Sequence, residues 1–237
     1  MVGMIAQLIS MTIGFISQRI FLNYLGLEIV GINSVVTETL GFLTFAELGV
    51  GTAISFRLYK PLVKNDTREL GILMQLYRSL YQIIGCVVFV LGTGIMFVLP
   101  VFINDASYDM PFIYAAYLIQ LVSTSASYFF AHKRSLIFVD QKQYVCKIAD
   151  LTCNICFSVI RIMVLVLWKN YHLYLLLQLL QTLTANIFLA RYCNKHYPFV
   201  KVKPVKDSMI SKECLRIQRM FFLDGLPVMF TVLLIMW

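Results

Sequence analysis

Four charged side chains stand where charge is costly. Arg19, Glu38, Glu47 and Arg161 lie within or at the ends of long apolar runs. Placing an arginine or aspartate at the centre of a membrane helix costs roughly 2.5–3.5 kcal/mol on insertion scales, so such groups face a cavity or a partner. Arg161 falls about two-thirds along its run, on the same face as Asn154 at roughly 100° per residue. A guanidinium there keeps its charge at any working pH and can hold a phosphate through paired hydrogen bonds. Snorkelling to the interface or pairing with a carboxylate is the competing reading. Arg19 sits near the end of its run and off the polar stripe, which favours snorkelling. Glu47 lies on a polar stripe close to a basic loop. It is a coupling-ion candidate, as a proton or cation carrier, and equally reads as a paired structural acid. Glu38 is off the stripe.

The elements that must position these groups are long apolar segments. Six can be marked, at roughly 2–22, 35–56, 79–103, 111–131, 148–168 and 171–191, and a seventh starts near Met220 and reaches Trp237. Each of the six approaches the ~20 residues that one helix needs to cross the hydrocarbon core. Hydrophobic residues make up 59% of the chain, charged residues 14%, and the mean hydropathy is +0.78. A soluble domain is usually about 25% charged, so the expectation is a multi-pass, all-α membrane bundle: six transmembrane helices and an incomplete seventh. The runs are too long for barrel strands of about ten residues. The organisation expected is a bundle over 1–192, a basic loop over 193–219 and a truncated segment over 220–237. Nothing at the start resembles a cleavable signal peptide.

The helices carry polar stripes. Gln7, Ser10, Gly14, Ser17 and Gln18 share a face of the first. Asn33, Thr37, Gly41, Thr44, Glu47, Gly51 and Ser55 do so in the second. Tyr117, Gln120, Thr124 and Tyr128 align in the fourth, Asp150, Asn154, Ser158 and Arg161 in the fifth, and Gln178, Gln181, Thr182 and Asn186 in the sixth. Any one of these residues can simply pack helices together. Stripes on five helices point to a shared aqueous cavity, which satisfies all of them at once.

The net charge of +8 invites a nucleic-acid reading, and its distribution argues against one. Apart from Arg19, Arg161 and Lys169, every Lys and Arg falls in or beside alternate loops, near residues 57–78, 133–147 and 191–219. The loop between the third and fourth segments has Asp105 and Asp109 and no cation. This is the positive-inside pattern, with a cytoplasmic N-terminus. Membrane lipids are the partner that the basic charge suggests next.

No catalytic constellation emerges, so no enzyme activity and no cofactor is expected. His132, His172 and His196 lie at helix ends or in loops without a carboxylate or nucleophile at a telling spacing. Cys153 and Cys156 form a CxxC, but zinc needs two more soft ligands, so no metal site is expected. The six cysteines read as helix-packing residues.

The stretch from Tyr24 to Arg78 carries a resemblance. Leu25, Gly26, Glu28 and Gly31 form an LG-x-E-x-x-G turn; Ala46, Glu47, Leu48, Gly49, Gly51 and Ala53 form an AELG-x-G-x-A run; and Leu58 to Leu62 reads LYKPL. Together they resemble bacterial polysaccharide flippases of the O-antigen and capsule type, within the multidrug/oligosaccharidyl-lipid/polysaccharide exporter superfamily. The resemblance implies two helix bundles around a central cavity. It implies alternating access that moves an undecaprenyl-pyrophosphate-linked oligosaccharide across the bacterial inner membrane. It further implies that cavity cations hold the anionic head, a role that falls to Arg161 and then Arg19. Asn154, Gln120, Thr44, Gln178 and Gln181 become cavity candidates beside them. The chain reads as the N-terminal half of such a transporter, and its missing C-terminal lobe or another copy is the expected partner. A small-cation exporter of the same superfamily, or a membrane-embedded polymerase or glycosyltransferase, is the alternative. An acidic cavity would mark the first alternative, and a large outer loop or clustered acids and histidines the second.

Overall fold

The computed structural model describes residues 2–44, 50–97, 99–102 and 109–198. Glu47, nearly all of the basic loop and the whole seventh segment lie outside the described residues, as does the side chain of Thr44. Seven helices follow in chain order among the described residues: α1 (Val2–Thr44), α2 (Val50–Val63), α3 (Thr67–Met96), α4 (Leu99–Phe102), α5 (Met110–Val139), α6 (Gln143–Trp168) and α7 (Tyr171–His196). Four of them, α1, α3, α6 and α7, are long and apolar enough to cross a membrane.

Helix α1 is two arms joined at Gly26, whose φ of 84° and ψ of 171° belong to a region essentially reserved for glycine. The partners of the two arms show that the chain reverses there. Gln7 and Ser10 share a cavity with Gln181 and Asn186, and Phe21 then meets Tyr171 and Tyr174. Beyond Gly26, Asn33 meets Tyr171, and Gly41 lies beside Gln178 and Leu179. Partners along α7 thus run backward and then forward again. The second arm begins directly after Gly26, eight residues before the expected segment at 35. Asn23, Glu28 and Asn33 interrupt the apolar run without interrupting the helix.

Most remaining boundaries move outward for a related reason: helices continue past the hydrocarbon that sets the hydropathy signal. The third segment instead ends at Met96 with α4 after it, and the segment expected over 35–56 is described as two pieces, to Thr44 and from Val50. Helix α3 starts at Thr67, so the stretch over 68–78 that reads as basic loop and the third segment form one 30-residue helix. Its N-terminus is capped by Asp66, whose Oδ1 accepts from Arg68 N at 3.1 Å and Glu69 N at 3.0 Å. Lys133, Arg134 and Lys147, expected in a loop, lie inside α5 and α6, and only Asp140–Lys142 connects those helices. Helices α6 and α7 form a tight hairpin through Lys169 and Asn170, the two residues left between the fifth and sixth apolar segments. Lys169 takes the left-handed conformation, and Asn170 Oδ1 accepts from Leu173 N at 3.2 Å.

Helix α5 is long but is not counted with those four, and it is the centre of the bundle. It packs against α3 and α7 and touches α1, α2 and α6. Ile113, Ala116, Tyr117, Leu121 and Leu136 are fully buried along it. Close approach to α3 needs Gly92, where a Cβ would fall 2.3 Å from Leu121 Cδ1; Tyr117 OH donates to the Gly92 carbonyl at 2.8 Å. Neighbouring helices cover most of α5, and the strip left exposed is apolar, with Leu118, Val122, Phe129 and Phe138. The same holds elsewhere on the exterior: Phe15, Leu27, Val90, Met163, Leu167 and Phe188 project outward from several helices. An apolar surface this extensive suits a bilayer, and Trp168 at the end of α6 suits its interfacial belt.

Candidate functional site: a polar cavity at the basic end of the bundle

Helices α1, α5, α6 and α7 face one another toward the end of the bundle that carries Arg134, Lys147 and Lys195. Between them is a partly open cavity of about 730 Å³. Four of the five polar stripes meet in it. Gln7 and Ser10 come from α1, Thr124 and Tyr128 from α5, Asp150 and Asn154 from α6, and Gln181, Thr182 and Asn186 from α7. The helical period places these residues on one face of each helix, and the packing around α5 turns those faces toward one another.

The charge of the cavity comes from residues that the sequence presents as topology signals. Arg134 donates through Nη2 to Asp150 Oδ1, forming an ion pair across the α5–α6 interface. Lys147 Nζ donates to Gln7 Oε1 at 3.4 Å. Two cations and one carboxylate leave the lining with a single net positive charge. Buried Arg134 Nε and Gln181 Oε1 have no hydrogen-bond partner among the described residues. Donor and acceptor capacity is therefore left over for a ligand or for water. Neither Arg134 nor Lys147 is singled out by sequence reasoning, because both fall in stretches that read as loop. Treating the apolar runs as minimum helix lengths is the signal that finds them.

Of the residues expected in a cavity, Asn154 and Gln181 line this one. Gln120 and Gln178 line a second, smaller space of about 260 Å³ with Thr37, Gly41 and Ser123, and the two spaces share Thr124. Arg19 is exposed, away from both. Arg161 is 9% exposed and lines neither. Its guanidinium lies 5.3 Å from the centre of the Tyr174 ring, an attractive placement over a π face. Its Nη2 donates to Ser158 Oγ at 3.0 Å, and Ser158 Oγ donates to Asn154 Oδ1 at 3.1 Å. The same Asn154 oxygen accepts from Gln181 Nε2 at 3.5 Å. Arg161 therefore stands behind the cavity wall and orients Asn154 through Ser158.

Toward the opposite end the polar residues find one another. Gln120 Nε2 donates to Asn33 Oδ1 at 3.0 Å, Tyr171 OH to the same oxygen at 3.2 Å, and Thr37 Oγ1 to Gln120 Oε1 at 3.3 Å. Beyond them Phe21, Phe112, Tyr171, Tyr174 and His172 pack ring against ring. This cluster closes the bundle.

At the basic end the α5–α6 turn is tied to the end of α7. Lys142 Nζ lies 2.7 Å from Asp140 Oδ2, and Tyr197 OH donates to the same oxygen. Burial pushes the Asp140 carboxyl up, but the hydrogen bonds from Lys142 and Tyr197 outweigh it and hold the carboxyl below its ordinary value. The same contact holds Lys142 above its own.

No family model, no curated protein and no solved structure matches this chain.

Proposed function

We propose that this chain is one lobe of a flippase that carries a lipid-linked oligosaccharide across the bacterial inner membrane. The observation that supports it best is the convergence of four polar stripes on one cationic cavity in an otherwise apolar bundle. Amides and hydroxyls such as Asn154, Gln181, Thr124 and Ser127 suit the hydroxyls of sugars. Arg134 and Lys147 suit a phosphorylated head, and Arg134 offers the planar fork that fits phosphate oxygens. In this reading the two arms of α1, with α3, α5, α6 and α7, make six crossings. The basic end faces the cytoplasm, and a second lobe or another copy completes the transport path. Glu47 remains a candidate for ion coupling. A small-cation exporter fits less well, because the cavity's carboxylate, Asp150, is already paired with Arg134.

The test is binding in lipid nanodiscs followed by native mass spectrometry, comparing an undecaprenyl-pyrophosphate oligosaccharide with the lipophilic cation ethidium. The wild type is expected to retain the glycolipid. The double variant Arg134→Gln, Lys147→Gln should lose at least about tenfold, since a charge-assisted hydrogen bond contributes on the order of 1.5–3 kcal/mol. Retention of ethidium with no retention of glycolipid would overturn the proposal.

A further inference from the structure

Helix α2 takes no part in the cavity, and its described surface is divided into a buried side and an exposed one. Leu58 is fully buried and Pro61 is buried beside it. On the other side Phe56, Tyr59 and Val63 are 75%, 40% and 80% exposed. At about 100° per residue these three fall within roughly 60° of one another, and Lys60, Lys64 and Arg57 follow along one flank of the strip. Lys64 continues the helical turn, its N donating to Lys60 O at 3.2 Å. The helix contains no acidic residue. The nearest acid, Asp66, has its carboxylate engaged by the first amides of α3.

We infer that this face of α2 is a binding site for acidic phospholipid. Phe56, Tyr59 and Val63 enter the acyl boundary, and Arg57, Lys60 and Lys64 hold headgroup phosphates. Three observations carry the inference. An apolar ridge flanked by cations is how a helix lies in an interface plane. The charge on the ridge's flank is uniformly positive, so it complements an anionic leaflet and no neutral one. Pro61, inside the helix, lacks the N–H that would bond the Arg57 carbonyl. A backbone carbonyl left open is costly in hydrocarbon and cheap among hydrated headgroups, which sets the depth of this turn. The inference rests on the bundle lying in a membrane and holds whatever the cavity carries.

The test uses the full chain in nanodiscs containing both phosphatidylcholine and phosphatidylglycerol, with native mass spectrometry reading which lipid stays bound. The wild type should prefer phosphatidylglycerol, and salt should weaken the preference. At about fivefold per cation near an anionic surface, the variant Arg57→Gln, Lys60→Gln, Lys64→Gln should lose on the order of a hundredfold. All three side chains are exposed, so folding is not at risk. The control Arg191→Gln, Lys195→Gln removes exposed cations near the end of α7, off the α2 strip, and should change the preference by clearly less than the α2 variant does. Equal retention of both lipids by the wild type, or an equal loss in the control, would overturn the site on α2.

Discussion

The two ends of the groove between α5 and α7 are built from the same residue types and do opposite things with them. At the basic end Thr124, Ser127, Asn154 and Gln181 surround about 730 Å³ of open space. About one turn along α5 from Thr124, Asn33, Gln120, Thr37 and Tyr171 close on each other under a cap of aromatic rings. The difference lies in the neighbours. The reversal at Gly26 lays the second arm of α1 against α5, where Asn33 brings a single oxygen within reach of a donor from α5 and one from α7. At the basic end the first arm of α1 borders the space through Gln7 and Ser10 and leaves it open. Asn and Gln are thus glue in one half of the bundle and lining in the other.

The comparison can be broken by substitution. Asn33→Leu removes the acceptor shared by Gln120 and Tyr171 and strands two donors in an apolar setting. It should lower stability by about 3 kcal/mol, read as a thermal shift in detergent. Gln181→Leu, on the lining, should change stability by less than about 0.5 kcal/mol, because the group it removes has one long hydrogen bond and an unpartnered oxygen. Equal losses in the two variants would erase the distinction between glue and lining.

A small and pH-dependent effect belongs to the Asp140–Lys142–Tyr197 tie. The folded carboxyl titrates below its unfolded value, so its stabilisation is complete above the ordinary carboxylate range. It fades as pH falls through the depressed value. Asp140→Asn should therefore cost under about 1 kcal/mol near neutrality and nothing at strongly acidic pH. A cost that persists unchanged in acid would assign the residue's role to packing.

Much of this was legible in the sequence, and the exceptions share a cause. Periodicity alone groups Gln7 with Ser10 and Asn154 with Asp150, and both pairs line the cavity. The break at Lys169 and Asn170 is visible because two polar residues interrupt two clean apolar runs. Arg134 and Lys147 were hidden because hydropathy marks where hydrocarbon ends and not where a helix ends. Asn33 looked like one more member of a stripe because its partner Gln120 is 87 residues away. Arg161 looked like a cavity cation because a helical wheel shows its face but not the Tyr174 ring that covers it.

The central claim is that water reaches this bundle from the basic end and stops before the aromatic cap. Two single cysteines on α5 test it most directly, Ser127→Cys in the cavity wall and Ala116→Cys in the fully buried cap. Each is placed in a background lacking the native cysteines and exposed to a charged, membrane-impermeant thiol reagent in open membranes. Rapid labelling at position 127 with protection at position 116 is the predicted result. Labelling of both at similar rates, or of position 116 alone, would contradict the account.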